Sequence, residues 1–294
     1  MRVVITVPAY NEEKTIGRVV SGIREVMDST KYSYQVMIVN DGSSDRTAEI
    51  AKNNGAIVYS HPMNYGLAET FKTEMQKCIE LKADVIVHTD ADGQYLAKDI
   101  PKLLGEIEKG YDLVLGSRFK GEIEGMPPLK RFGNKAFSRV VSRITRMKIS
   151  DSQTGFRAFT RDVAERINII SNFTYTQEQI IKAARQKFRI KEIPIYFAKR
   201  LGGESKLMKN PFDFAIKAWI NLLRIYRDYE PLKFFGIVGS IFFTIGFLIG
   251  VWLVYVFVST GRVSHIPSAI LSMLFIMIGI QIVFFGFLAD MRRL

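Results

Sequence analysis

The chain has 294 residues, 48% hydrophobic and 24% charged, with a formal net charge of +12. That balance excludes a disordered polymer and a protein embedded in lipid along its whole length. From Phe234 onward the only charged residues are Arg262, Asp290, Arg292 and Arg293, which sum to +2 and leave +10 on residues 1–233. A basic polar portion suits an anionic partner such as a phosphorylated substrate, an anionic lipid or nucleic acid, or serves solubility alone. The single cysteine, Cys78, excludes an intrachain disulfide, and on its amphipathic helical pattern a buried, inert thiol is expected. A cytosol-facing domain fits. Met1 and Arg2 lead straight into a strand-like run, without the pattern of a signal peptide.

In chain order, residues 3–7 read as a buried strand and a helical pattern follows to residue 27. Residues 36–39 form a second strand, then a helix near 46–53 and a strand over 56–59. A helix over 67–81 leads to the strand 85–88, and a helix near 99–109 to the strand 112–115. Strands alternating with helices predict parallel pairing in a doubly wound α/β sheet, with ligands beyond the C-terminal strand ends. No internal repeat or low-complexity segment interrupts this order.

Residues 129–146 have a helical period. Leu129, Phe132, Ala136, Phe137, Val140 and Ile144 fall on one face, beside a stripe of Arg131, Lys135, Arg139, Arg143 and Arg146. This is the pattern of a helix lying in a membrane interface, or of a surface helix packed on its own domain. Residues 211–227 repeat it, with Phe212, Ala215, Trp219, Leu222, Leu223 and Tyr226 opposite Asp213, Lys217, Asn221 and Arg224. Two charge-free apolar runs follow, 234–258 and 266–289, each long enough to cross about 30 Å of hydrocarbon as a helix. Gln281 is the one strongly polar residue of the second run, and a lone Gln can bond to a neighbouring helix. Together with the small residues of the spans it permits a homo-oligomer. Arg224, Arg227 and Lys233 before the first run, and Arg292 and Arg293 after the second, place the large domain and both termini on the cytoplasmic side. The expected organisation is a catalytic α/β domain over 1–210, a second interface helix over 211–231 and a two-helix membrane domain over 232–294.

The sharpest chemical signal is His88-Thr89-Asp90-Ala91-Asp92-Gly93-Gln94. A strand runs into two aspartates one residue apart, and alternation aims both to one side. Two hard carboxylates suit Mg²⁺ or Mn²⁺, which complete their shells with substrate phosphates. His88 reads as a satisfied core histidine more readily than as a ligand. With this motif in place the chain resembles the family 2 glycosyltransferases of GT-A (Rossmann-like) fold, and within them the dolichyl-phosphate mannose synthase-like polyprenyl-phosphate glycosyltransferases. The matching residues are Val7-Pro8-Ala9-Tyr10-Asn11-Glu12, Val39-Asn40-Asp41-Gly42-Ser43-Ser44-Asp45, Asn64 with Gly66, Asp90-Ala91-Asp92-Gly93-Gln94, Gly116-Ser117-Arg118-Phe119 and Asp151-Ser152-Gln153-Thr154-Gly155-Phe156-Arg157.

The resemblance implies that Pro8, Tyr10, Glu12 and Asp41 line the nucleotide pocket, although Asp41-Gly42-Ser43-Ser44-Asp45 also reads as a plain turn with a helix cap. It implies that Asp90 and Asp92 hold the nucleotide and a Mn²⁺ or Mg²⁺ ion, with Gln94 assisting. It further implies that Arg118 lies near the sugar-transfer point and that Arg131 and Lys135 grip the acceptor phosphate together with it. Arg200 and Lys206 flank a glycine-hinged loop over the donor phosphates, which also reads as an ordinary basic loop. The implied reaction is inverting transfer of a hexose or N-acetylhexosamine from a GDP- or UDP-sugar to a polyprenyl phosphate, producing a lipid-linked donor for glycosylation. A phosphate monoester is already largely dianionic at neutral pH and needs no general base. Asp151 is the nearest candidate for one, or else it orients an Arg or Ser group. The alternative is a membrane glycosyltransferase with a hydroxyl acceptor on a glycolipid, which would need that base. No nucleic-acid motif accompanies the charge.

Overall fold

A computed structural model describes residues 1–170, 175–199, 220, 223–262 and 265–291. The chain divides into two units, Met1–Lys209 and Asn210–Leu294. The first is built on seven strands: β1 (Arg2–Ala9), β2 (Ser33–Asn40), β3 (Ile57–Ser60), β4 (Val85–His88), β5 (Leu113–Ser117), β6 (Arg157–Thr160) and β7 (Ile190–Pro194). They form one sheet in the order β3-β2-β1-β4-β6-β5-β7.

Val3, Val4, Ile5 and Val7 are all fully buried, so β1 is covered on both faces, as a central parallel strand requires. The cover comes from α1 (Ile16–Asp28), α2 (Thr47–Asn53), α3 (Leu67–Glu80), α4 (Ile100–Glu108), α5 (Pro128–Thr145), α6 (Arg161–Arg166) and α7 (Thr176–Arg185). Ile16, Val20, Ile23 and Met27 of α1 recur at helical spacing and are all buried. Each such side chain stabilises the fold by about 1.5–3 kcal/mol relative to exposure.

The expected parallel pairing holds for β1 with β2 and β4, and for β2 with β3. It does not hold throughout. β6 inserts between β4 and β5 and runs antiparallel to both, while β7 lies parallel to β5 at the far edge. Only four residues long and opening on a buried Arg157, β6 has too short an apolar run to announce itself.

The apolar face expected of the 129–146 helix divides in α5. Phe137, Val141 and Ile144 are buried with Asn134 and Ser138 against the domain, whereas Leu129 and Phe132 are exposed at the first turns. Arg131, Lys135, Arg139 and Arg143 are all exposed on the remaining surface. Of the second amphipathic segment, most of 211–222 lies outside the described residues, and residues 223–229 are helical.

The second unit contains two long apolar helices, Pro231–Thr260 and Ile266–Met291, both long and apolar enough to span a bilayer. Their contact is made by small residues. Gly239, Gly246, Ser272, Gly279 and Gly286 are buried, and Ser272 Oγ donates to Gly246 O at 2.7 Å. The backbones approach so closely that a Cβ on Gly279 would sit 2.6 Å from the Phe243 nitrogen. Gln281 does not serve this contact, contrary to the simplest reading of a lone glutamine: it is exposed on the outside of the pair. Most other outward positions are large and apolar, a surface that water does not tolerate and hydrocarbon does.

Gly279→Leu should therefore force the helices apart at a cost of about 1–3 kcal/mol. Gly236→Leu, where an added Cβ meets nothing within 4 Å, should be neutral. Thermal unfolding of the two variants in detergent checks this contrast.

Candidate active site

The C-terminal ends of β1, β2 and β3 lie side by side, with Pro8 opposite Val39 and Val39 opposite Tyr59. The turns beyond them are stitched together. Asn11, in the left-handed region at φ 52°, donates its N–H to Ser43 Oγ at 2.9 Å and accepts the Ser44 N–H at 2.9 Å. The Glu12 N–H donates to Thr47 Oγ1 at 2.8 Å. Tyr10 stands 38% exposed at this edge.

Asp41 is buried, and its carboxylate faces His61 Nδ1 at 2.8 Å and accepts the backbone N–H groups of Tyr65 and Gly66, each at 2.9 Å. It fixes the 61–66 turn, a structural task beyond the nucleotide contact implied for it. Gly42 is required here: its φ is +69°, and a Cβ would lie 2.4 Å from the Met63 carbonyl carbon.

Beyond β4, the Thr89 N–H donates to Thr6 O at 3.1 Å, so the chain continues alongside β1 into Asp90 and Asp92. Asp92 is buried and accepts the Gln94 N–H at 3.0 Å, while Gln94 Nε2 donates to Ala198 O at 3.0 Å. Asp90 lies against Gly155, where an added Cβ would fall 2.7 and 2.9 Å from its two oxygens. Burial and then the charge of Asp92 push the Asp90 carboxyl up to about 6, against the pull of His88 and Arg118. Among the described residues no three His, Cys, Asp or Glu side chains converge as a metal cage. A pair of mutually repelling carboxylates nonetheless fits a hard cation that takes its other ligands from phosphate and water.

Three supporting residues escaped the sequence reading. Glu74 of α3 is fully buried, accepts Thr6 Oγ1 at 2.9 Å and lies 3.2 Å from His88 Nε2. His88 is thus a core histidine, and its Nδ1 donates to Gly155 O at 2.7 Å, fixing the glycine that Asp90 packs on. Tyr95 is buried, and its hydroxyl accepts the Gly155 N–H at 3.1 Å. The signal available for Glu74 was its position on the apolar face of an amphipathic helix, between Phe71 and Cys78.

Arg118 leaves the end of β5 and is 4% exposed. Its Nε donates to Asp151 Oδ2 at 2.6 Å and its Nη2 to Asp151 Oδ1 at 2.8 Å, with the Arg118 N–H adding a third bond at 3.1 Å. Asp151 is fully buried, and both its oxygens are taken. That geometry makes it a holder of the guanidinium and a poor proton acceptor. The third missed residue, Glu192 of β7, supports it in turn by accepting the Asp151 N–H at 3.0 Å, Ser150 Oγ at 3.0 Å and Lys120 Nζ at 3.0 Å. Arg118 also faces the Phe197 ring at 5.2 Å. Lys135 of α5 reaches the Phe119 ring at 5.8 Å, and Arg118 lies 6.0 Å from the same ring. Arg131 is exposed one turn earlier on α5. Arg200 and Lys206 lie outside the described residues.

A strand-end carboxylate pair beside a pinned arginine is joined here by a sequence match: the glycosyl transferase family 2 profile fits residues 4–167. The chain belongs to glycosyltransferase family 2. The profile of that family's C-terminal transmembrane region fits residues 221–293, over the two apolar helices. A dolichyl-phosphate hexose transferase of Haloferax volcanii is 36% identical over 71% of this chain and 86% of its own length. A dolichol-phosphate mannosyltransferase of Pyrococcus furiosus is 29% identical over 93% of this chain and 78% of its own. The fold matches glucosyl-3-phosphoglycerate synthase of Mycobacterium tuberculosis, solved with Mn²⁺ and UDP, at a TM-score of 0.57 and 17% identity, over 75% of this chain and 79% of that one.

Asp151→Ala would leave the Arg118 charge buried without its partner, so the variant should lose about 3–5 kcal/mol of stability. Denaturant unfolding monitored by circular dichroism measures it. A loss below about 1 kcal/mol, the range of an exposed pair, would show that the pair is not the anchor described.

Proposed function

We propose that this glycosyltransferase moves a hexose or N-acetylhexosamine from a GDP- or UDP-sugar onto a dolichyl-type polyprenyl phosphate, with inversion. The observation that carries the reading is that Asp151 is committed to Arg118, while Lys135 of α5 lies over the Phe119 ring that Arg118 also faces. Arg131 and Lys135, both exposed, are available for a phosphate acceptor, and the candidate base is occupied. The activities named for the Haloferax and Pyrococcus relatives support it.

An oxygen of the lipid phosphate attacks the anomeric carbon. The bond from that carbon to the β-phosphate oxygen breaks, and the nucleoside diphosphate departs with the electron pair. Asp90 and Asp92 would hold Mn²⁺ or Mg²⁺, with Gln94 keeping Asp92 in place. Such an ion supplies positive charge to the departing diphosphate. Pro8, Tyr10, Glu12 and the turn organised by Asp41 receive the nucleotide. Arg118, preset by Asp151, faces the transferring group. Arg131 and Lys135 hold the acceptor phosphate, a task for cations because the second phosphate pKa is about 6. Arg200 and Lys206, which lie outside the described residues, would contact the donor phosphates, the role the resemblance implies for them. Leu129 and Phe132, exposed beside the cations of α5, meet the lipid interface. The large domain and both termini lie on the cytoplasmic side.

The test is incubation of the purified protein with Mn²⁺, polyprenyl phosphate and a panel of GDP- and UDP-sugars, with products identified by mass. One metal-dependent lipid-phosphate sugar is expected, and none from Asp92→Ala. Glycosylation of a hydroxyl lipid in its place would overturn the reading.

The raised Asp90 carboxyl adds a pH dependence. Its folded pKa of about 6 exceeds the ordinary aspartate value, so the metal-free fold keeps a proton that the unfolded chain has released. That contribution favours the fold in acid and is lost as pH rises through about 6. Mn²⁺, which needs the carboxylate, should therefore raise the unfolding temperature more near pH 7.5 than near pH 5. Equal shifts in thermal melts at the two values would exclude Asp90 as a ligand.

A further inference from the structure

The helix Ile266–Met291 has two faces. Ser272, Gly279 and Gly286 pack against the other apolar helix. Gln281 is nine residues beyond Ser272, about two and a half turns, which sets it on the opposite side. It is exposed there, and among the described residues none is hydrogen-bonded to its amide. Around it, one and two turns away, lie Leu274, Met277, Ile278, Phe284, Phe285 and Leu288, all exposed. Gln281 is about 4 Å from the middle of a 26-residue helix at 1.5 Å per residue. In a spanning helix this places a primary amide deep in hydrocarbon, too far from either surface to reach water.

We infer that Gln281 marks a homodimer interface, in which the Gln281 amides of two copies hydrogen-bond to each other across the outer faces of their second membrane helices. The inference rests on those helices crossing the bilayer. An unpaired amide in hydrocarbon costs several kcal/mol, and the hairpin offers it no partner. Lipid tails offer none either. A second copy does, because a carboxamide is both donor and acceptor and so is complementary to itself. Membrane insertion fixes the orientation of every copy, so a two-fold axis must run along the membrane normal, and residue 281 then meets residue 281 at the same depth. The flanking Leu, Ile, Met and Phe side chains recur at three- and four-residue spacing, as a packed pair of parallel helices requires. Gln281 is separate from the hairpin contact, so its replacement leaves each protomer's own packing intact.

The test uses the full-length protein in lipid vesicles at a low protein-to-lipid ratio, with energy transfer between labelled copies. Self-association is expected, weakened roughly ten-fold by Gln281→Leu, in line with interhelical polar bonds in membranes, and partly restored by Gln281→Asn. Cys78 is buried, so a cysteine introduced at Ile278 or Phe285 should form an oxidative cross-link between copies. Monomeric wild-type protein, or association indifferent to Gln281→Leu, would overturn the interface. A protein stripped from the vesicles by carbonate would overturn the spanning reading and the dimer with it, which separates the two failures.

Discussion

The buried ion pair between Arg118 and Asp151 is the constraint around which the catalytic unit is arranged. A guanidinium taken out of water is tolerable only with a carboxylate in bidentate contact and that carboxylate's surroundings satisfied. The fold meets both conditions from separate elements. Arg118 comes off β5, Asp151 from the segment before β6, and Glu192 of β7 holds the Asp151 backbone from below. The result is a fixed positive group beside a fixed pair of carboxylates, an electrostatic arrangement set before any ligand arrives.

Arg118 and Asp151, 33 positions apart in sequence, also bracket the stretch that contains α5. Their contact, with Ser117 and Ser150 joined at 2.6 Å beside it, closes that stretch into a loop. The helix carrying Arg131 and Lys135 is therefore positioned by the same bond that orients Arg118. Loop closure carries an entropic cost that depends only weakly on length, so two short polar contacts can define the placement of an entire cationic helix.

Much of this was legible in the residues. Consecutive apolar runs identified the first five strands, and the spaced motifs lie at their ends. The two membrane helices were plain from length and purity alone. Most of what stayed hidden has a common physical cause, though Tyr95 does not share it. Glu74, Glu192 and Arg157 are charged residues inside the fold, and composition assigns such residues to the surface unless their partners are known. Arg157 finds its partners in Gln179 Oε1 at 2.8 Å, the Thr176 and Thr154 carbonyls and the Tyr175 ring at 5.2 Å, all more than two residues away in sequence. Asp151 illustrates the same limit from the other side. The resemblance offered it as a candidate base, but only the fold reveals that both of its oxygens are already in use.

The reversed direction of β6 has a consequence for how such sites are encoded. In a parallel sheet every functional residue lies just after a strand, because those chain exits share one rim. An antiparallel insert enters the sheet at the rim where its neighbours leave. Residues 151–156 therefore reach the site on the way into β6, and Gly155 comes to rest against Asp90 from the preceding strand position. One strand of opposite polarity lets two chain segments, an exit and an entrance, share the space beside a single carboxylate. A search for site residues confined to strand exits would overlook half of that contact.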